Sequence, residues 1–279
     1  MHRGYLSLPA TRCRDTIFNW GERSYIMGIV NVSPDSFSGD GLSNLDSAIA
    51  QAKRFVDEGA DIIDVGGEST RPESQPVSEE EEIARVVPVI EALSRLISVP
   101  ISIDTYKSAV ARRAVEAGAG MINDVWGLKK SPELAEIAAE AKIPLIITSN
   151  QRDEPCEDIM QGVISDLEDK IRLAENSGVM PENIIIDPGI GFGKTVEQNL
   201  EIIRRMAELK ILGKPVLLGT SRKSLIGKVL DLPPEQRLEG TAATVAIGIA
   251  NGADIIRVHD VEQMVRVCRM SDAIIRRKG

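Results

Sequence analysis

Aromatic residues make up only 3% of this 279-residue sequence, so the core that a chain of this length can bury has to be mostly aliphatic. The three cysteines, Cys13, Cys156 and Cys268, are scattered without a C-x-x-C pair. That spacing excludes a disulfide framework and a zinc knuckle and suits reduced thiols. No stretch approaches the ~18 uninterrupted apolar residues of a membrane-spanning helix. The opening MHRGYLSLPATRCRDT has no apolar segment of secretory length, so the expectation is a cytoplasmic protein with no membrane partner. Positive charge is also short, 33 Lys and Arg against 42 Asp and Glu for a net charge of -9. Phosphate backbones are held by basic surface, so no nucleic-acid partner is expected.

What is present is an alternation. Short β-rich runs recur eight times, at 25–32, 61–67, 101–104, 120–125, 144–148, 183–189, 215–220 and 254–260. Between them lie stretches of helical period such as SNLDSAIAQAKRFVDEG, EEEEIARVVPVIEALSRL and VISDLEDKIRLAENSG, several ending on a glycine that suits a helix C-terminus. Strand then helix, repeated with continuously apolar strands, predicts an α/β fold, a (β/α)8 TIM barrel forming a single domain over residues 25–279. Residues 1–24 read as an N-terminal extension or cap. An open doubly wound sheet is the competing architecture, but it often carries a Gly-rich fingerprint after its first strand, and none is present.

In such barrels the chemistry gathers at the C-terminal strand ends. Those ends carry Asn31, Asp64, Asp104, Asn123 and Asp124, Asp187, then Thr220 to Lys223, and finally Arg257, His259 and Asp260. Any one of these could cap the following helix. Their repetition at nearly every strand suits a polar heterocycle bound by carboxylates and amides, and an anion bound by Arg71, Lys223, Arg257 and His259. Arg257 and His259 are two residues apart, which on a strand puts both on one side, facing the mouth. The excursions VNVSPDSFSGDG and GGESTRPES after the first two strands are longer than ordinary βα loops and predict functional lids. DPGIGFGKT carries Lys194 but lacks the spacing of a Walker loop.

Six stretches in register, MGIVNVSPDSFSGDG, DIIDVGGESTRP, ISIDTYKSAVARRAVEAGAGMINDVWG, IIIDPGIGFGKT, LLGTSRKS and RVHD, resemble successive blocks of the dihydropteroate synthase family, folate-pathway transferases of the pterin-binding barrel superfamily. The resemblance implies that 4-aminobenzoate displaces pyrophosphate from 6-hydroxymethyl-7,8-dihydropterin pyrophosphate to give 7,8-dihydropteroate. It implies that Asp104, Asn123, Asp187 and Lys223 hold the pterin, that Asn31 with Mg2+, Arg257 and His259 hold the diphosphate, and that Phe37, Thr70, Arg71, Pro72 and Ser221 build the aminobenzoate site. Phe192 and Gly219 complete the implied substrate-binding set, and Asp104, Lys223 and Arg257 are its catalytic members. A homodimer and sulfonamide binding are implied as well.

One block departs from the family. After the fifth strand IITSNQRDEP places Thr148 and Ser149 where the family usually has Met-His, and Ser33 stands where threonine is common. The methionine would be an apolar wall of the pterin pocket, so the change leaves open a noncatalytic pterin-binding paralogue. A second alternative, the methyltetrahydrofolate:corrinoid methyltransferase of the same superfamily, has no use for the diphosphate-binding stretches GESTRP, SRKS and RVHD.

Overall fold

A short antiparallel hairpin, β1 (Thr11–Cys13) and β2 (Thr16–Phe18), precedes eight parallel strands in the computed structural model, which describes residues 8–32, 43–68, 76–151 and 158–276. The eight are β3 (Tyr25–Asn31), β4 (Ile62–Gly66), β5 (Ile101–Asp104), β6 (Met121–Asp124), β7 (Leu145–Thr148), β8 (Ile184–Asp187), β9 (Leu217–Leu218) and β10 (Ile255–Val258). They pair in the order β8-β7-β6-β5-β4-β3-β10-β9. A single parallel bridge, Ile186 to Val216, joins the two ends of the sheet and closes the circle. The predicted barrel is therefore the observed one, with each strand inside its predicted run. Of the long excursions after the first two strands, residues 33–42 and 69–75 lie outside the described residues.

Helices fill the crossovers: α1 (Ser43–Glu58), α2 (Glu79–Leu96), α3 (Ser108–Ala117), α4 (Glu133–Ala141), α5 (Ile159–Asn176), α6 (Val196–Arg205), α7 (Ser224–Leu230), α8 (Leu238–Ala250) and α9 (Val261–Ile275). Local chemistry sets their starts. The Ser78 hydroxyl accepts from Glu81 N, and four glutamates follow in the first turn of α2, where the helix dipole favours negative charge. Thr195 and Gln198 form a reciprocal capping box at α6. Gly118, at φ 121°, ends α3 in a conformation that costs other residues.

Strand alternation divides the apolar residues into two cores. Outward side chains such as Ile63, Val65, Ile103, Ile122, Ile147, Ile186 and Ile256 pack beneath the helices. Inward ones, Tyr25, Met27, Ile62, Met121, Ile146, Ile185, Leu217 and Ile255, fill the barrel interior, and Cys13, Phe18 and Trp20 join them from the hairpin. Three of the chain's nine aromatics meet here. Phe18 stacks on Trp20 with centroids 5.5 Å apart and meets Tyr25 edge-on at 4.9 Å. Cys13 Sγ donates to Gly120 O at 2.8 Å, and Trp20 Nε1 donates to the Thr11 hydroxyl at 2.9 Å. The hairpin thus seals the N-terminal end of the barrel. Burial pushes the Cys13 and Cys268 thiols up to about 12, so both stay protonated and inert. Cys156 lies outside the described residues.

Candidate functional site

Two residues further along seven of the eight strands, the inward position changes character, while β3 still carries the apolar Ile29 there. Above Ile62, Ser102, Met121, Ile146, Ile185, Leu217 and Ile255 stand Asp64, Asp104, Asn123, Thr148, Asp187, Gly219 and Arg257. A floor that is apolar except for Ser102 therefore carries a largely polar ring at the C-terminal end. Asp64, Asp104, Asn123, Thr148 and Asp187 are all buried.

The ring is organised around Arg257. Its Nε donates to Asp64 Oδ2 at 2.6 Å and its Nη2 donates to Asp104 Oδ2. Asn123 Nδ2 donates to Asp64 Oδ2 at 3.1 Å. A carboxylate only accepts, so the Asn123 amide must turn its NH2 to Asp64, which leaves its oxygen for something else. Two carboxylates share one guanidinium, and burial resists the surplus negative charge. Desolvation, helped by Asp64, Glu82 and Asp124 against the opposing Arg257, pushes Asp104 up to about 7. Burial opposes the charge on Arg257, but Asp64 and Asp104 outweigh it and raise its pKa. Asp124, also buried, is pushed up to about 6 while it accepts from the amides of Trp126 and Leu128.

Several buried polar atoms of this ring have no hydrogen-bond partner: Asp64 Oδ1, Asp104 Oδ1, Asn123 Oδ1, Thr148 Oγ1 and, next to it, Ser149 Oγ. Leaving such an atom unsatisfied costs about 1–3 kcal/mol. A cluster of them in one layer of one barrel marks a place built for a ligand. Gly66 keeps the opening clear. A Cβ there would sit 3.7 Å from Asp104 Oδ2 and 3.8 Å from Asn31 Oδ1, so these two side chains, paired with Gly66 from either side, border the same opening.

The opposite side of the ring is assembled from two turns. Asp187 Oδ1 accepts from Gly189 N at 2.7 Å, and Lys223 Nζ donates to Ile190 O at 2.5 Å while lying 4.7 Å from the Phe192 ring centroid. Desolvation raises the Asp187 pKa, and Lys223 opposes it. A Cβ at Gly219 would lie 3.9 Å from both Arg257 Cβ and Lys223 Nζ, so the two turns border one space. Ser221 Oγ is 3.1 Å from both the backbone N and the ring Nδ1 of His259. β10 ends at Val258, and His259 follows it with its ring against the Ser221 hydroxyl. Arg222, at φ 56°, pairs through both ends of its guanidinium with Asp260 and fixes the turn carrying Ser221 and Lys223.

The structure thus brings Asn31, Asp104, Asn123, Asp187, Phe192, Gly219, Ser221, Lys223, Arg257 and His259 to one mouth. Phe37, Thr70, Arg71 and Pro72 lie outside the described residues. Sequence reasoning placed Asp64 at a strand end but gave it no role. Its signal was a charged residue inside the apolar run IIDVG, at the inward position two beyond Ile62. It also passed over Lys107, whose ammonium donates to Glu68, Glu82 and Val77 O, each at 2.6 Å. Among the described residues no three His, Cys, Asp or Glu side chains are grouped to hold a metal ion.

The model of the family described as pterin binding enzyme matches residues 27–259. A dihydropteroate synthase of Clostridium beijerinckii is 53% identical over 93% of this chain and 97% of its own length. That of Bacillus subtilis is 49% identical over 95% and 94%. Among solved structures, a dihydropteroate synthase from Clostridium difficile in the presence of pteroic acid superposes with a TM-score of 0.91 at 52% identity, covering 93% of this chain and 100% of that one. The Xanthomonas albilineans enzyme in complex with 7,8-dihydropteroate gives 0.88 at 38% identity, over 95% and 98%. The chain belongs to the pterin-binding enzymes and, within them, to the dihydropteroate synthases.

Proposed function

We propose that the chain joins 6-hydroxymethyl-7,8-dihydropterin pyrophosphate to 4-aminobenzoate, releasing pyrophosphate and 7,8-dihydropteroate. The observation that carries this reading is the set of unpartnered buried acceptors, Asp64 Oδ1, Asp104 Oδ1 and Asn123 Oδ1, in one polar ring. A pterin edge is a row of N–H donors, and such a row satisfies acceptors that are otherwise left bare. Asp187 and Lys223 extend the ring on its far side. The phosphate ester oxygen leaves an exocyclic carbon as negative charge grows on the diphosphate and positive charge spreads over the pterin. A buried carboxylate at Asp104 or Asp187 stabilises the second charge, and Arg257 and the His259–Ser221 pair oppose the first. The arylamine then attacks the exocyclic carbon and gives up its proton, while Phe37, Thr70, Arg71, Pro72 and Ser221 hold its ring and carboxylate.

The residues fit Mg2+ through a single protein oxygen. Asn31 Oδ1 borders the opening over Gly66 at the mouth, and Mg2+ is commonly held by one or two protein oxygens together with substrate phosphates. When bound, the ion supplies charge neutralisation to the diphosphate. We read the chain as cytoplasmic; no helix among the described residues is long and apolar enough to cross a membrane. A homodimer is supported by exposed Leu230, Ile247, Met270 and Ile274 on the neighbouring helices α7, α8 and α9.

The decisive measurement is formation of 7,8-dihydropteroate from the two purified substrates with Mg2+. Product formation that a sulfonamide inhibits competitively with 4-aminobenzoate is expected. Binding of the pterin without product would instead make the chain a noncatalytic relative, the reading motivated by Thr148 and Ser149. Arg257→Ala should lower turnover and weaken pyrophosphate, and unchanged values would assign the arginine to the barrel wall alone.

A further inference from the structure

The turn from Gly189 to Phe192 touches both polar groups on the far side of the ring. Its Gly189 amide donates to Asp187, and its Ile190 carbonyl receives Lys223. The turn has little intrinsic rigidity. Gly189 and Gly191 sit at φ 72° and φ 84°, and a Cβ on Gly189 would meet Ser149 O at 1.9 Å. That close approach presses the turn against the end of β7, where two carbonyls, Ser149 O and Gly189 O, come together with a third, Phe192 O. Carbonyl oxygens repel one another unless a donor stands between them. Backbone amides reach two of them, Phe192 N donating to Gly189 O and Gln151 N to Phe192 O, and Lys194 Nζ is the donor common to all three, at 2.7 Å from Ser149 O, 3.0 Å from Gly189 O and 3.3 Å from Phe192 O.

We propose that Lys194 is a positioning residue: its ammonium, spending its three N–H bonds on three backbone carbonyls, ties the Gly189–Phe192 turn to β7 and so holds Asp187 and Lys223 in place for the pterin. An ammonium has three donors and no acceptor, which matches the three carbonyls. A neutral amine would have two donors and would aim a lone pair at the third oxygen. Burial drives the Lys194 pKa down to about 7, with Lys223 and Lys170 adding to the depression and Asp187 and Asp166 opposing it. These neighbours come from β8, from α5 and from the turn before α7. The clamp therefore loosens as pH rises through the neutral range. Diphosphate binding, assigned to Arg257 and His259 on β10 and beyond, does not pass through this turn. This inference rests on Asp187 holding the pterin.

The test is calorimetric titration of two separate probes, 6-hydroxymethylpterin and pyrophosphate with Mg2+, into the unaltered protein and into Lys194→Met, Lys194→Arg and Asp187→Ala. Lys194→Met should weaken the pterin probe by about tenfold or more, the scale of one lost charge-assisted contact, while pyrophosphate stays within about twofold. Lys194→Arg, which keeps charge and donors, should recover part of the loss. Between pH 6.5 and 8.5 pterin affinity should fall in the unaltered protein more steeply than in Lys194→Met. Asp104 titrates in the same range in both proteins and cancels from that difference. Equal weakening of both probes would mean general destabilisation, and no weakening of either would mean an idle clamp; both overturn the proposal. If Asp187→Ala binds the pterin normally, the reading of the site falls and the inference falls with it. If Asp187→Ala loses the pterin and Lys194→Met does not, the inference alone falls.

Discussion

The two ends of the barrel interior are made from the same strands and obey opposite rules. At the floor the inward side chains other than Ser102 form one apolar cluster, and Phe18 and Trp20 from the hairpin segment add two rings against Tyr25 of β3. One alternation higher, acceptors stand buried without partners and two carboxylates compete for one arginine. The floor can afford the mouth. A barrel held by close-packed aliphatic layers tolerates a destabilised ring at one end, and that ring regains its missing hydrogen bonds when a ligand enters.

This contrast makes its strongest prediction at the floor. Phe18 is fully buried between Trp20 and Tyr25, so Phe18→Ala should cost about 3–5 kcal/mol of stability. Urea unfolding measures that loss. The KM for both substrates should stay where it was at a temperature at which the variant is folded, since the hairpin is at the far end from the ring. A large KM change would show that the floor and the mouth are not separable.

A smaller effect is expected from the charge at the mouth. Asp104 has its pKa raised from 3.8 to about 7, so between those values the folded chain holds a proton that the unfolded chain has released. Stability is therefore greatest at the acid end of that window and is lost as pH rises through it. Asp124, raised to about 6, adds a slope of the same sign over a narrower range. Asp104→Asn cannot titrate, so its urea midpoint should fall less between pH 5 and pH 8 than that of the unaltered protein. Turnover should drop in the same variant if the carboxylate stabilises the developing cation. Identical pH slopes in the two proteins would count against a strained mouth.

The smallest effect belongs to Thr148. Its hydroxyl is buried without a partner, so Thr148→Val should leave stability unchanged or raise it by up to about 1 kcal/mol. Pterin affinity should fall if the hydroxyl meets the ligand. Calorimetry with 6-hydroxymethylpterin decides whether this wall of the pocket works through polarity or only through shape.

How much of this was legible beforehand follows the same division. The strands could be read because parallel barrel strands are apolar on both faces, and runs such as NIIIDPG announce themselves between helical periods. The polar ring was legible as a set of strand ends. What could not be read was who pairs with whom. Asp64 and Arg257 are 193 residues apart and meet only because β4 and β10 flank β3. Alternation put His259 at the mouth but could not announce its contact with Ser221, 38 residues away in sequence. Lys194 stood in plain view within GFGKT, but three backbone carbonyls leave no mark in a sequence.

The closure of the barrel has a mechanical consequence. β3 and β4 are joined by five paired residues, β9 and β10 by two, and β8 and Val216 by one bridge. The ring is thus joined most weakly between Asp187 on one side and the Gly219 to Ser221 turn on the other. A ring under load yields first at its weakest joint, so changes in the width of the mouth should concentrate there. On the proposed reading of Asp187 and Lys223, a flat bicyclic ligand held by both would span that joint and act as the rung that the shortest strand does not supply.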